Sequence, residues 1–320
     1  MRRNASIELY RCLCMAGVVL LHALTQGGYA DAHRGLDNLV APSVVGFVFI
    51  SGYCGIKCKL RSVLKLLGIG LSSFIMLVIL SGNYRSSFGI SGYWWFLWMY
   101  LALMAITPVV NAIFDENTPS RVLCKILPLL FVVFVWTYSA TVIPVLKSIV
   151  PSANGFSPFS VLTFLGVYLV ARTCKLYEEQ LRTNWLLLAA ATSGIFVWFG
   201  FYHYCSPFSL IFAGSIFFLI KRMPLPRFIE KTVMFFSHSM FAVYLLHTNT
   251  LGFVCLRKAE NALITAGWDY YLMAFSVAIG IFVGGVGLDL PRRAALYCIK
   301  RNCKVAFLTG TCKRNIKISE

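Results

Sequence analysis

The chain has 320 residues, of which 58% are hydrophobic and 13% are charged, and its net charge at pH 7 is +17. A soluble domain carries about twice that charged fraction, so the composition excludes an ordinary soluble protein and indicates an integral membrane protein. The apolar runs are about twenty residues long and do not alternate, which predicts an all-α, polytopic membrane helix bundle. The positive charge does not require nucleic acid as a partner, because membrane proteins collect Lys and Arg in cytoplasmic loops.

Ten apolar segments predict about ten transmembrane helices. They lie at 7–26, 39–56, 66–82, 93–114, 124–143, 158–172, 185–203, 207–220, 236–256 and 269–290. The segment at 207–220 is short, so it forms with 185–203 either two spans or a tight re-entrant hairpin. With the N-terminus in the cytoplasm, 23 of the 29 Lys and Arg fall on the cytoplasmic side and five on the outer side. This asymmetry predicts that both termini are cytoplasmic.

The chain is predicted to divide at residue 290. Residues 1–290 form the transmembrane domain, and residues 291–320 form a basic cytoplasmic tail in which Lys and Arg alternate with apolar side chains. That mixture is typical of an amphipathic helix on an anionic lipid surface, so membrane lipids are expected partners of the tail.

The ionisable side chains of Arg11 and His22 lie inside the first apolar run, Ile7 to Leu24. Each costs a few kcal/mol in hydrocarbon, so a span that keeps both is expected to use them. Their separation of eleven residues equals three helical turns plus about 20°, which places both on one helix face, about 16 Å apart along the axis. The spacing predicts one group near a membrane surface and the other deeper on the same stripe.

Each of these two residues has a functional and a structural interpretation. A neutral imidazole in an apolar site suits a general base acting on a hydroxyl, while the alternative for His22 is a hydrogen-bonded structural histidine. Arg11 follows Glu8 by three residues, and the two charges can neutralise each other. Otherwise the guanidinium is available for an anionic ligand such as phosphate.

Further candidates lie after the second span and in the ninth. A basic loop directly after Ser51-Gly52-Tyr53 holds Lys57, Lys59, Arg61 and Lys65. Basic residues are common in the cytoplasmic loops of membrane proteins, and they would also suit the entrance of a phosphate-binding site. Tyr244 and His247 are three residues apart and share a helix face. No Gly-rich phosphate loop, nucleophile elbow or metal-binding helix motif is present, so no metal and no bound cofactor is predicted.

Four segments, in this order, are similar to those of the acyltransferase 3 family of polytopic bacterial membrane enzymes. They are Ile7-Glu8-Leu9-Tyr10-Arg11 with His22, Phe47 to Tyr53, Trp95 to Tyr100 running on to Asn111, and Tyr244-Leu245-Leu246-His247. The family's Arg-x-x-Arg motif at the start of the third span is missing, so individual phosphate contacts in that loop are not assigned. The hydrolase-like domain that some members carry is also missing, so the chain is expected to act alone or with a partner.

The resemblance implies an O-acyltransferase in the bacterial inner membrane. It takes an acyl group from acetyl-CoA, or a similar acyl-CoA, and transfers it to a hydroxyl of a glycan or lipid-linked sugar. His22 is implied as the catalytic residue, either as base or as a brief acyl carrier. The residues expected to bind the donor are Glu8, Arg11, Ser51, Tyr53, Lys57, Lys59, Arg61 and Lys65, and those expected to support the site are Trp95, Asn111, Tyr244 and His247.

A transporter or flippase for a lipid-linked or anionic solute is the alternative function. It would use the same buried charges without covalent change to the solute. Few carboxylates lie within the spans and no inverted repeat is visible in the sequence, and both observations favour the enzyme. The sequence does not identify the acceptor.

Overall fold

The computed structural model describes residues 3–26, 34–82, 94–115, 119–142, 161–201, 203 and 206–308, and it contains no strand in these ranges. The helices are α1 (Ala5–Gln26), α2 (Arg34–Val40), α3 (Ser43–Cys54), α4 (Leu60–Ser81), α5 (Trp95–Asp115), α6 (Pro119–Val142), α7 (Val161–Leu176), α8 (Thr183–Trp198), α9 (Pro207–Lys221), α10 (Arg227–Ser237), α11 (Met240–His247), α12 (Thr250–Thr265) and α13 (Tyr270–Leu308). A short 3-10 helix, Glu178–Gln180, connects α7 to α8. The predicted all-helical class is therefore confirmed.

Five stretches of the described helices are long and apolar enough to cross a membrane. They are Ala5–Thr25, Gly35–Cys54, Leu60–Ser81, Trp95–Asp115 and Tyr270–Ile299, and the apolar helices Thr183–Trp198 and Pro207–Lys221 are shorter. The second stretch contains the junction of α2 and α3 at Pro42. The number of ten spans and the orientation of the termini remain predictions.

Helix α1 lies at the centre of the fold. It packs against α2, α3, α9, α10, α11, α12 and α13. Gly17 allows α3 to approach closely, because a Cβ atom at that position would lie 2.1 Å from Oγ of Ser43. Small residues at contacts of this kind are the usual means of close helix packing in a membrane. Helix α1 therefore packs closely within the helix bundle.

Helix α4, in contrast, lies at the periphery. Its outward face is apolar and consists of the exposed side chains Leu60, Leu64, Leu67, Leu71, Ile75 and Ile79. An exposed apolar face of this length suits contact with lipid. The opposite face of the helix, which includes Ile69, packs toward the interior.

The predicted ninth span is not one helix, and in this region the structure differs from the sequence interpretation. Helix α10 ends at Ser237, α11 covers only Met240–His247, and α12 begins at Thr250. At the break between α11 and α12, polar side chains form hydrogen bonds with backbone groups. Thr248 Oγ1 donates to the carbonyl of Tyr244 at 2.6 Å, and Asn249 accepts from the amide of Gly252 at 2.9 Å. Such side chains compete with the helix ladder, and a broken helix at membrane depth is tolerated where protein or a cavity surrounds it.

Helix α13 continues beyond residue 290 to Leu308. The predicted boundary between the transmembrane domain and the basic tail therefore falls inside one helix, next to Pro291. The buried carboxylate of Asp289 accepts two hydrogen bonds from Arg292, at 2.5 and 2.7 Å, one turn later. The division into domain and tail remains a prediction.

Candidate active site

A cavity of about 460 Å³ opens beside α1. Side chains of α1 line it at intervals of four and three residues, which is the spacing of one helical stripe. This stripe consists of Arg11, Met15, Val18, His22 and Thr25. Arg11 and His22 therefore lie on one face of the helix and line one cavity.

The other walls of the cavity come from four helices and from the break between α10 and α11. Their lining side chains are mainly apolar and aromatic: Val44, Phe47 and Ser51 on α3, Lys65, Leu66 and Ile69 on α4, Trp95, Phe96 and Tyr100 on α5, and Met240, Phe241 and Tyr244 on α11, with Ser237 at the end of α10 and His238 directly after it. No Asp or Glu is among the described lining residues. Within the described ranges, no group of three or more His, Cys, Asp or Glu is placed to hold a metal ion.

Arg3, Glu8, Arg11 and His238 form what we call the basic end of the cavity. The buried carboxylate of Glu8 accepts hydrogen bonds from Nε and Nη2 of Arg3, at 3.0 and 2.6 Å. Arg11 Nε lies farther from this carboxylate, at 3.6 Å. The carboxylate thus pairs mainly with Arg3, and Arg11 keeps most of its donors for other partners. Arg3, Arg11 and His238 line the cavity, whereas Glu8, which was expected to bind the donor, is not among the lining residues and contacts the two arginines instead.

At the second end of the cavity, His22 is a lining residue and contacts His247, which is not one of the lining residues; we call this pair the histidine end. Nδ1 of His247 is 2.7 Å from the carbonyl of Val243, and a carbonyl only accepts, so this nitrogen carries a proton. With both rings neutral, Nε2 of His247 is then the acceptor for Nδ1–H of His22, at 3.0 Å. The proton of His22 is thereby held on Nδ1, and its Nε2 keeps a lone pair.

These two hydrogen bonds leave Nε2 of His22 unprotonated and available for chemistry. Among the described residues, Nε2 of His22 has no hydrogen-bond partner. The ring lines the cavity and stands edge-on to Phe253, with centroids 5.5 Å apart. A neutral imidazole fixed in this tautomer is equipped to accept a proton or to act as a nucleophile.

The position of His247 depends on two contacts between α11 and the start of α5. The hydroxyl of Tyr244 accepts a hydrogen bond from the amide of Phe96 at 3.2 Å, and Trp94 Nε1 donates to the carbonyl of Leu245 at 3.1 Å. These bonds fix the short helix that carries His247. Of the expected supporting residues, Trp95 and Tyr244 line the cavity, whereas His247 acts through its contact with His22.

Between the two ends, Ser51 and Tyr100 place hydroxyl groups in an otherwise apolar wall. Oγ of Ser51 donates to the carbonyl of Phe47 at 3.0 Å, so the Tyr100 hydroxyl, 3.1 Å from Ser51, is the donor in that pair. Ser51 was expected to lie at the site, whereas Tyr100 was noted only as part of the aromatic segment. Both line the cavity.

Tyr53 is placed away from the cavity. Its hydroxyl donates to Glu178 at 2.5 Å, and Lys221 forms an ion pair with the same carboxylate. Burial raises the pKa of Glu178, but the hydrogen bonds from Lys221 and Tyr53 outweigh burial and hold the pKa below its usual value. Tyr53 thus connects the end of α3 to the segment between α7 and α8, and its expected donor contact is not part of this cavity.

Asn111 is also outside the cavity and holds the turn after α3. Its Nδ2 donates to the carbonyl of Ile56 at 2.8 Å, and its Oδ1 accepts from the Tyr168 hydroxyl at 2.8 Å. Tyr168 in turn accepts from the amide of Ile56 at 3.1 Å. The network is closed, which fits a structural role.

The four basic residues expected after the second span separate into two groups. Lys65 lines the cavity. Lys57, Lys59 and Arg61 are exposed and are not among the lining residues. Their spacing alone did not indicate this, because Lys65 lies inside α4 and the other three lie at or before its first turn.

Sequence reasoning did not assign a site role to Arg3 or His238. Arg3 was counted only among the cytoplasmic charges, and His238 precedes the recognised Tyr244–His247 motif within the segment taken as one helix. A polar triplet, Ser237 to Ser239, inside an apolar span was the available signal for a break with a functional side chain.

These features describe a helical membrane protein with a cavity that has a cationic and a histidine end. A family model described as an acyltransferase domain, Acyl_transf_3, matches residues 4–290, nearly the whole chain. The chain belongs to this family, and it is therefore an acyltransferase that transfers groups other than amino-acyl groups. No curated protein and no solved structure gives a significant match.

Proposed function

We propose that the protein is an O-acyltransferase of the bacterial inner membrane. It transfers an acyl group, most simply acetyl, from acyl-CoA to a hydroxyl of a glycan or lipid-linked sugar. The observation that carries the proposal is that Arg11 and His22 line one cavity while His247 keeps Nε2 of His22 unprotonated. Membership of the acyltransferase family supports the reaction type, and the shared cavity supports Arg11 and His22 as the residues that take part in it.

The charges and the shape of the cavity support an acyl-CoA donor. The diphosphate suits the guanidinium of Arg11, and the cavity's apolar length suits the uncharged pantetheine arm. Arg11 and His22 are about 16 Å apart along α1, so the arm would bring the thioester toward the imidazole. The cavity volume of about 460 Å³ lies within the usual range of small-molecule sites. The adenine would then lie outside it.

His22 Nε2 would take the proton of the acceptor hydroxyl as its oxygen attacks the thioester carbonyl. The C–S bond breaks, an ester forms, and the proton passes from the imidazolium to the departing thiolate, so that CoA leaves as the thiol. His247 supports this step because its Nε2 accepts the Nδ1–H of His22, and that hydrogen bond becomes stronger when the ring is charged. In a two-step variant of the proposal, the same lone pair carries the acyl group between donor and acceptor.

The decisive experiment uses membranes of cells with and without the gene, supplied with acetyl-CoA labelled in the acetyl group. We expect an alkali-labile labelled ester on the surface glycan or its lipid-linked precursor only when the gene is present. A transporter would instead move its solute without forming the ester. Unchanged glycan esters after deletion of the gene would contradict the proposal, and mass spectrometry of the modified sugar would identify the acceptor.

The same assay without acceptor distinguishes the two chemical routes. Label that stays covalently attached to the purified protein, and disappears in the His22→Ala variant, would indicate the acyl-histidine route. Absence of label on a protein that still transfers the group would indicate direct attack with His22 as base.

A further inference from the structure

We propose that Arg3 is a second ligand for the donor's phosphates, beside Arg11, and that His238 is the residue that positions it. This inference rests on the proposed acyl-CoA donor. In the sequence, Arg3 is distinguished only by its charge, and His238 only by its place in the polar triplet Ser237 to Ser239. Arg3 and His238 both line the cavity, although they are 235 residues apart in the chain.

The guanidinium of Arg3 is held on two sides. Glu8 accepts from its Nε and Nη2, at 3.0 and 2.6 Å, and Nη1 lies 3.4 Å from Nε2 of His238. A guanidinium has five N–H donors, so these contacts use three and leave one on each terminal nitrogen. Two donors on adjacent terminal nitrogens are the arrangement that binds two oxygens of one phosphate.

His238 is fixed as an acceptor toward Arg3. Its Nδ1 is 2.5 Å from the carbonyl of Met234 and must donate there, which leaves the Nε2 lone pair for Nη1–H of Arg3. The ring occupies this position because α10 ends at Ser237 and α11 begins only at Met240. The break in the predicted ninth span therefore has a consequence for the site: it places an imidazole against the N-terminal arginine.

Charge balance also favours a ligand role. Two guanidiniums share one carboxylate, Glu8, so the basic end keeps an excess of positive charge beside the cavity. The side chains of Arg3 and Arg11 are 37% and 31% exposed, which leaves both accessible to a ligand from outside. If Arg3 served only to neutralise Glu8, its contact with His238 would have no influence on donor affinity.

The test measures CoA binding to the purified full-length protein by isothermal titration calorimetry. Arg3→Gln is expected to weaken CoA binding about tenfold, the effect of losing charge-assisted hydrogen bonds, and Arg3→Lys to restore only part of the loss. Arg227→Gln is the matched control: Arg227 is an exposed arginine at the start of α10 that does not line the cavity, and it should leave affinity unchanged. Thermal unfolding of each variant verifies that it is folded.

A second pair of variants tests the positioning role of His238 without altering the Arg3–Glu8 pair. Gln keeps an acceptor near the position of Nε2, so His238→Gln should bind CoA like the wild type, whereas His238→Leu should bind about fivefold more weakly. Equal affinity of Arg3→Gln and wild type would overturn the ligand role of Arg3. Equal affinity of His238→Leu and His238→Gln would overturn the positioning role. A wild-type protein that does not bind CoA would overturn both together with the proposed donor.

Discussion

The two ends of the cavity hold their functional side chains in opposite ways. At the basic end, charged side chains are fixed by ion pairs with one carboxylate, and the arginines are about one-third exposed. At the histidine end, two rings are fixed by a chain that terminates at a backbone carbonyl, and His247 is only 4% exposed. A charge that must capture a polyanion benefits from access to water, while a base is more effective when its tautomer is fixed and competing water is excluded. This difference fits the proposed function, in which the basic end binds the donor and the histidine end carries the chemistry.

The largest expected effect tests whether the histidine end alone carries the chemistry. His22→Ala should lower acyl transfer by about 10²–10⁴-fold, the usual contribution of a general base. CoA binding should remain within twofold of wild type, because the basic end is unchanged. Both quantities are measured on the same purified preparation. A variant that transfers acyl groups at the wild-type rate would remove His22 from the mechanism, and one that also loses CoA binding would remove the division between the two ends.

His247 provides a more specific test of the same end. His247→Leu leaves Nδ1–H of His22 without its acceptor, and we expect kcat to fall about 30-fold. His247→Gln restores an acceptor oxygen and should recover most of the rate. The measurement is kcat at saturating donor, with a pH–rate profile for each variant. If Leu and Gln behave alike, the hydrogen bond to His22 has no role in catalysis.

Arg11 tests the basic end and should affect a different kinetic constant. Arg11→Gln should raise KM for acetyl-CoA about tenfold, because a charge-assisted contact to phosphate is lost, and should change kcat little. Added salt should weaken donor binding in the wild type more than in the variant. A fall in kcat with an unchanged KM would instead place Arg11 in the reacting step.

The smallest expected effect concerns Glu260, a buried glutamate whose surroundings contrast with those of Glu8 at the basic end. Glu8 has arginine partners, whereas within the described part of the chain neither oxygen of Glu260 has a hydrogen-bond partner. Burial raises the pKa of Glu260 to about 7, and the nearby Arg257 opposes this only in part. The folded protein therefore keeps a proton that the unfolded chain releases near pH 4.5. Because the unfolded state binds fewer protons than the folded state between pH 4.5 and about pH 7, stability is lost as the pH rises through this range.

Glu260→Gln should remove this loss. Between about pH 5 and pH 8, the unfolding temperature of the wild type should fall by about 2–4 °C relative to the variant. Differential scanning fluorimetry across that pH range measures the difference. Parallel curves for the two proteins would show that Glu260 does not change its protonation on unfolding.

Local properties of the chain were sufficient to predict the class of structure and the stripe on α1. Apolar length predicts helices in a membrane, and a helix of fixed pitch places residues eleven apart on one face, whatever surrounds it. The pairing of Glu8 with Arg11 followed from the same pitch, although the distance of 3.6 Å indicates a weak contact. Ser51, Lys65, Trp95 and Tyr244 were also found at the cavity.

Only the tertiary structure decided which distant side chains meet. His247 is 225 residues from His22 in the chain, and the short helix α11 that carries it is tied to the start of α5 by Trp94 and Tyr244. Arg3 contacts His238, 235 residues away, at the break between α10 and α11. Tyr53 matched the same sequence segment as Ser51, yet it contacts Glu178 and not the cavity. Helix pitch determines which residues share a face of one helix. Contacts between helices depend instead on where the helices break and on how closely they pack, and the spacing of residues along the sequence determines neither.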